Sequence, residues 1–97
     1  MRYAIILAPE ALDDLKRLSG RSRARVKDAL EIHLRHEPTK TSRSRIKRLR
    51  GLSRPQYRLR VDEARVFYDV VERRVEVLAI VTKQDAAAWL AREGRKS

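Results

Sequence analysis

The chain has 97 residues, 42% hydrophobic and 38% charged, and 24 Lys and Arg against 13 Asp and Glu give a formal net charge of +11. The absence of cysteine excludes disulfides, thiol catalysis and cysteine-ligated zinc. Two histidines, His33 and His36, are too few for a histidine metal site, so neither metal nor other cofactor is expected. This length predicts one domain over residues 1–97 that buries about 60–65% of its unfolded surface. Self-repulsion among so many cations works against the compact state, and an acidic partner would relieve it.

The opening residues Met1 to Ala8 are apolar, but Pro9, Glu10 and Asp13 interrupt them too early for a signal peptide. Val75 to Val81 is the longest apolar stretch; Glu76 breaks it, and it is far shorter than a membrane span. The expectation is a cytoplasmic protein without a membrane partner. Tyr3 to Leu7 reads as a short buried strand. Pro9 then suits the first turn of a helix, with Glu10, Asp13 and Asp14 complementing its dipole. Ala8, Ala11, Leu12, Leu15 and Leu18 form its apolar stripe, and Gly20 reads as its terminator.

A second helix is expected from a Ser22 cap to Glu37-Pro38, making a helical hairpin around Ser19-Gly20-Arg21. Thr39 to Ser53 is polar and basic and reads as a loop, pinned by Ile46, Leu49 and Leu52. Three strands follow, Tyr57–Val61, Arg65–Val71 and Val75–Val81, joined by hairpin-sized links. Lys83 to Arg92 reads as a closing helix, and Gly94 to Ser97 as a frayed tail. The order predicts an α+β fold. An N-terminal strand, a two-helix hairpin and a three-stranded antiparallel meander complete a four-stranded sheet, with the helices on one face.

The charge is concentrated in one place. Lys40, Arg43, Arg45, Lys47, Arg48, Arg50, Arg54, Arg58 and Arg60 lie in a stretch without a single acidic residue. Strand alternation puts Arg58 and Arg60 on one face, opposite Tyr57, Leu59 and Val61. Arg65 can reach the same neighbourhood across the Asp62-Glu63-Ala64 turn. Guanidinium groups held by a strand suit phosphate. Solubility alone also places arginines on a sheet face, but it does not require one sign of charge.

Lys47-Arg48-Leu49-Arg50-Gly51-Leu52, then Tyr57-Arg58-Leu59-Arg60-Val61, then Arg65-Val66-Phe67-Tyr68 resemble the RelE/ParE superfamily of bacterial toxin–antitoxin toxins. The likeness covers essentially the whole chain and rests on order and spacing rather than on one signature. It implies a RelE-like fold and a toxin that inhibits translation by metal-independent, ribosome-dependent mRNA cleavage. In that reaction the ribose 2′-hydroxyl attacks its adjacent phosphate. The matching catalytic positions are Arg58, Arg60 and Arg65. Lys47, Arg48, Arg50 and Arg54 suit contacts to an RNA backbone or docking of an acidic antitoxin segment, and Trp89 supplies either stacking or a core or interface anchor.

Two departures from the family pattern matter. Nuclease members carry lysines on the second strand where this chain has Arg58 and Arg60, and a guanidinium is a poor general base. After the last strand, where members place an arginine or histidine and then a tyrosine, this chain reads Val81-Thr82-Lys83-Gln84-Asp85 and later Trp89. Lys83, if buried among arginines, is the remaining candidate for proton transfer, with Asp85 a weaker one. The alternatives are a non-catalytic, ParE-like inhibitor of DNA gyrase, or a weakened toxin acting as an antitoxin-binding module. The expected partners are a small acidic antitoxin in a hetero-oligomer, the ribosome and mRNA.

Overall fold

The computed structural model describes residues 2–97. In chain order these form β1 (Ala4–Leu7), α1 (Pro9–Arg17), α2 (Gly20–Ala29), β2 (Ile46–Arg48), β3 (Leu52–Arg54) and β4 (Tyr57–Val61). Then come β5 (Ala64–Val71), β6 (Arg74–Thr82), α3 (Lys83–Glu93) and β7 (Arg95–Lys96). The main sheet runs β1-β6-β5-β4-β2; β1 is parallel to β6 and every other pair is antiparallel. The α+β class and the meander are as expected. No helix among the described residues is long and apolar enough to cross a membrane.

Pro9 occupies the first turn of α1, whose Ala11 and Leu15 are buried. The second helix begins earlier than expected. Ser19, not Ser22, is its cap: the Ser19 hydroxyl accepts the Ser22 N–H at 3.2 Å, and Gly20 starts the helix instead of ending the previous one. Beyond Ala29 the helix widens into a π-helical turn, Leu30–Leu34. The principal core lies between these helices and one sheet face. Leu15, Val26, Leu30 and Leu34 meet Leu59, Val61, Val66, Tyr68, Val75, Val77 and Ile80 there. Tyr68 is fully buried, donates to the Pro38 carbonyl at 2.7 Å and stacks on Tyr57 at 5.5 Å.

The expectation that all helices share one face is corrected by α3. Phe67, Leu78 and Ala79 form a second core on the opposite face, closed by Trp89 of α3. The cause lies in β5 and β6, whose residues Val66-Phe67-Tyr68 and Leu78-Ala79-Ile80 are apolar on both faces. A strand buried on both sides needs cover on both sides. Thr82 caps α3 by accepting the Asp85 N–H at 3.3 Å, and Trp89 then stacks on Phe67 at 4.9 Å and 5°.

The stretch read as a loop holds two strands. The Ser42 hydroxyl accepts the N–H groups of Arg45 and Ile46, at 3.1 and 3.2 Å, and launches β2 along β4. Hence the main sheet gains a fifth strand at its edge. The tail is also ordered: β7 pairs antiparallel with β3 in a second, two-stranded sheet. Gly94 makes the exit from α3 possible. Its N–H donates to the Leu90 carbonyl at 2.8 Å, and a side chain there would meet that oxygen at 2.5 Å.

One polar contact holds α1 to the sheet. β1 pairs with β6 only as far as Val77, so the later part of β6 lacks a neighbouring strand on that side. The Ile80 N–H donates instead to Asp14 Oδ2 at 2.9 Å, while Arg17 donates to Asp14 Oδ1 at 2.7 Å. Asp14→Ala leaves a part-buried strand amide unsatisfied and is expected to cost about 1–3 kcal/mol. Urea unfolding checks this, and Asp14→Asn, which keeps an acceptor, should recover most of the loss.

Candidate functional site

The register of β2, β4 and β5 assembles the cations. Arg60 pairs directly with Arg65, Arg58 with Phe67, and Lys47 with Arg58. Directly paired residues share a face, so Lys47, Arg58, Arg60 and Arg65 line one side of the sheet. This is the side covered further along by α3. The three arginines expected to act together are therefore adjacent, with Lys47 as a fourth member.

They are not equivalent. Arg60 is exposed, whereas Arg65 is only 7% exposed. Arg65 Nη1 donates to the carbonyls of Asp62 and Ala64, both at 2.9 Å, which clamps the guanidinium against the β4–β5 turn. That turn bends at Asp62, whose φ is +52°, and the Asp62 carboxylate pairs with Arg25 of α2. Asp62 thus gives Arg65 its carbonyl and spends its charge elsewhere. Arg58 lies between the two, half-buried, and its Nε is buried without a hydrogen-bond partner. Burial, together with Arg65 and Arg60, lowers the Arg58 pKa from the usual guanidinium value. An anion seated against the exposed part of the Arg58 guanidinium offsets the repulsion from Arg65 and Arg60.

The other expected site residues divide. Lys83 stands exposed at the start of α3, its N–H donating to the Glu63 carbonyl at 2.7 Å. It lies next to the Arg65 end of the sheet, but the burial among arginines expected of a proton carrier is absent. Trp89 is 5% exposed with its ring flat against Phe67, so it is a core residue and not a stacking platform for a base. Arg48 is held by Nη1 donation to the Gln56 carbonyl at 2.7 Å and lies 5.2 Å over the Tyr57 ring. Arg54 pairs with buried Asp69 at 3.4 Å. Lys47 and Arg50 are exposed and have no carboxylate partner among the described residues.

Asp69 was missed by the sequence reading. Its Oδ1 accepts the Gln56 N–H at 2.7 Å, and the Gln56 side chain in turn accepts the Val70 N–H at 2.9 Å. Burial pushes the Asp69 carboxyl up, opposed by the Gln56 N–H and by Arg54. This network fixes the Arg54-Pro55-Gln56 approach to β4 and hence the placement of Arg58. A signal was present: Arg65, Phe67 and Asp69 alternate, so the acid shares the arginine face.

The comparisons with known proteins agree with this architecture. No curated protein sequence matches the chain. The archaeal RelE–RelB complex from Pyrococcus horikoshii OT3 matches at 22% identity and a TM-score of 0.70, over 86% of this chain and 97% of that one. The RelBE2 toxin–antitoxin complex from Mycobacterium tuberculosis matches at 23% identity and 0.69, over 84% and 92%. A mutant Escherichia coli toxin RelE in the free state matches at 20% identity and 0.69, over 96% and 99%. At these identities the likeness is one of fold. The family model for the ParE toxin of the parDE type II toxin–antitoxin system matches residues 5–86. The chain therefore belongs to the ParE toxin family, within the RelE/ParE superfamily of type II toxin–antitoxin toxins.

Proposed function

We propose that this toxin inhibits translation by binding mRNA on the ribosome and promoting 2′-hydroxyl attack on the adjacent phosphate. The observation that carries the reading is Arg58, whose buried Nε lacks a partner while Arg60 and Arg65 crowd it. A phosphodiester supplies the negative charge that this arrangement lacks. As the pentacoordinate phosphate develops further charge, fixed guanidiniums stabilise it more than the ground state. Arg65 is held in advance by two backbone carbonyls and needs no reorganisation. Lys83 is the nearest candidate for proton transfer, acting from solvent. Catalysis then rests mainly on alignment and charge, and the turnover it supports is modest.

The partner that silences the site is a small acidic antitoxin, forming a hetero-oligomer in the cytoplasm. The similar RelE and RelBE2 structures are of toxin–antitoxin complexes, and the +11 charge suits an acidic mate. The test uses purified ribosomes programmed with a defined mRNA. Cleavage products ending in a cyclic phosphate are expected; intact mRNA at saturating toxin rejects the nuclease reading.

A second reading has its own support. The matched family is ParE, and among the described residues the strand positions paired with Arg58, Arg60 and Arg65 hold no carboxylate or histidine. A non-catalytic inhibitor of DNA gyrase needs none. Supercoiling assays with and without the toxin separate the two readings, because a translation toxin leaves supercoiling unchanged.

A further inference from the structure

The ordered tail adds cations beside the basic segment. β3 and β7 place Arg54 directly opposite Arg95, and Leu52 opposite Lys96, with a register irregularity between Leu52 and Arg54. The Ser53 hydroxyl secures the pairing by donating to the Arg95 carbonyl at 3.3 Å. Like charges directly opposed on a ribbon are destabilising. Asp69 offsets Arg54, but Arg95 and Lys96 are exposed and have no carboxylate partner among the described residues. The adjoining turn presents Arg50, also unpaired, and bends at Gly51 with φ +78°. Between turn and tail lies a hollow of about 590 Å³, with Arg48, Arg50, Ser53 and Ser97 among its walls.

We propose that the β3–β7 ribbon is a second phosphate-binding site, occupied by the backbone of the same single-stranded RNA that enters the arginine cluster. This rests on the RNA reading of that cluster. Asp69 marks the ribbon end and Arg65 the cluster end of β5. Arg65 lies four residues away, roughly 13 Å at about 3.3 Å each, and Arg58, opposite Phe67, lies roughly 7 Å away, so ribbon and cluster seat successive phosphates. Two sites at that separation hold different phosphates of one strand and set its direction across the sheet. The ribbon surface favours RNA over a protein partner. Arg50, Gly51, Ser53, Arg54, Arg95 and Lys96 are all exposed, and the apolar Leu49 and Leu52 are half-buried, so a helix would find little to anchor it.

Fluorescence anisotropy over a range of salt concentrations tests this, with an oligouridylate long enough to span both sites and a uridine dinucleotide that fills one. Each phosphate contact contributes about 0.7 to the slope of log K against log salt for a single strand. Arg95→Ser with Lys96→Ser is expected to lower the oligouridylate slope by about 1.4 and to leave dinucleotide binding unchanged. The charge-preserving swap Arg95→Lys with Lys96→Arg should restore the slope. Arg50→Ser, which leaves the ribbon pairing intact, should lower it by about 0.7. An unchanged slope in both Ser variants overturns the second site. If Arg58→Met also leaves oligouridylate binding unchanged, the RNA reading itself fails. Loss of antitoxin affinity in the Ser variants with intact RNA binding assigns the ribbon to a protein partner and overturns the proposal.

Discussion

Replacing Arg58 by methionine is expected to abolish growth arrest while making the folded domain more stable. The two effects share one cause. Arg58 Nε is buried without an acceptor, and its guanidinium is desolvated beside Arg65 and Arg60. An unsatisfied buried donor costs about 1–3 kcal/mol, so a methionine of similar length that removes it should gain roughly 1 kcal/mol. In a domain of this size that raises Tm by about 4–8 °C. Function moves the other way. Charge-assisted hydrogen bonds to phosphate contribute about 1.5–3 kcal/mol, so RNA affinity should fall roughly 10- to 150-fold. Thermal unfolding and RNA binding, measured on the same preparation, check both halves. A methionine variant that is less stable and equally toxic would make Arg58 a structural residue and remove the basis of the site.

The second large effect is expected at Trp89. Its ring stacks on Phe67 and closes the smaller core. Trp89→Ala should cost about 3–5 kcal/mol, a large part of the roughly 5–15 kcal/mol that holds a small domain folded. The variant should melt far below the parent, with α3 detached from the sheet. Trp89→Phe distinguishes packing from base stacking. The indole Nε1 is buried without a partner, so phenylalanine loses no hydrogen bond and keeps a ring against Phe67. Its stability should lie well above that of Trp89→Ala, since only part of the ring volume is lost, and its RNA affinity should not change. Denaturant midpoints measure the first; a fall in RNA affinity without a fall in stability would return Trp89 to the binding surface.

The adjacency of the three arginines is legible in the sequence. Arg58 and Arg60 share a face because strands alternate, and the Asp62-Glu63 turn brings Arg65 opposite Arg60. What alternation cannot give is exposure. Nothing local shows that Lys83 would stand in solvent or that Arg54 would pair with Asp69. Those outcomes depend on contacts made far along the chain. Trp89 is the clearest case, since Phe67, its partner, belongs to a different hairpin strand.

The sequence by itself carried the family resemblance, the α+β class with its helices and three-stranded meander, and the concentration of positive charge from Lys40 to Arg60. The resemblance rests on the segments 47–52, 57–61 and 65–68, whereas the helices, the meander and the charge follow from periodicity and composition, which are local. Only the tertiary structure decided which cations are free to bind and which are consumed as supports. The two-sided burial of β5 and β6 drew α3 to the arginine face, and the tail then folded back as β7 against β3. The last turn of the chain thereby became part of the basic surface, because a buried sheet must be covered and its cover carries Arg95 and Lys96 with it.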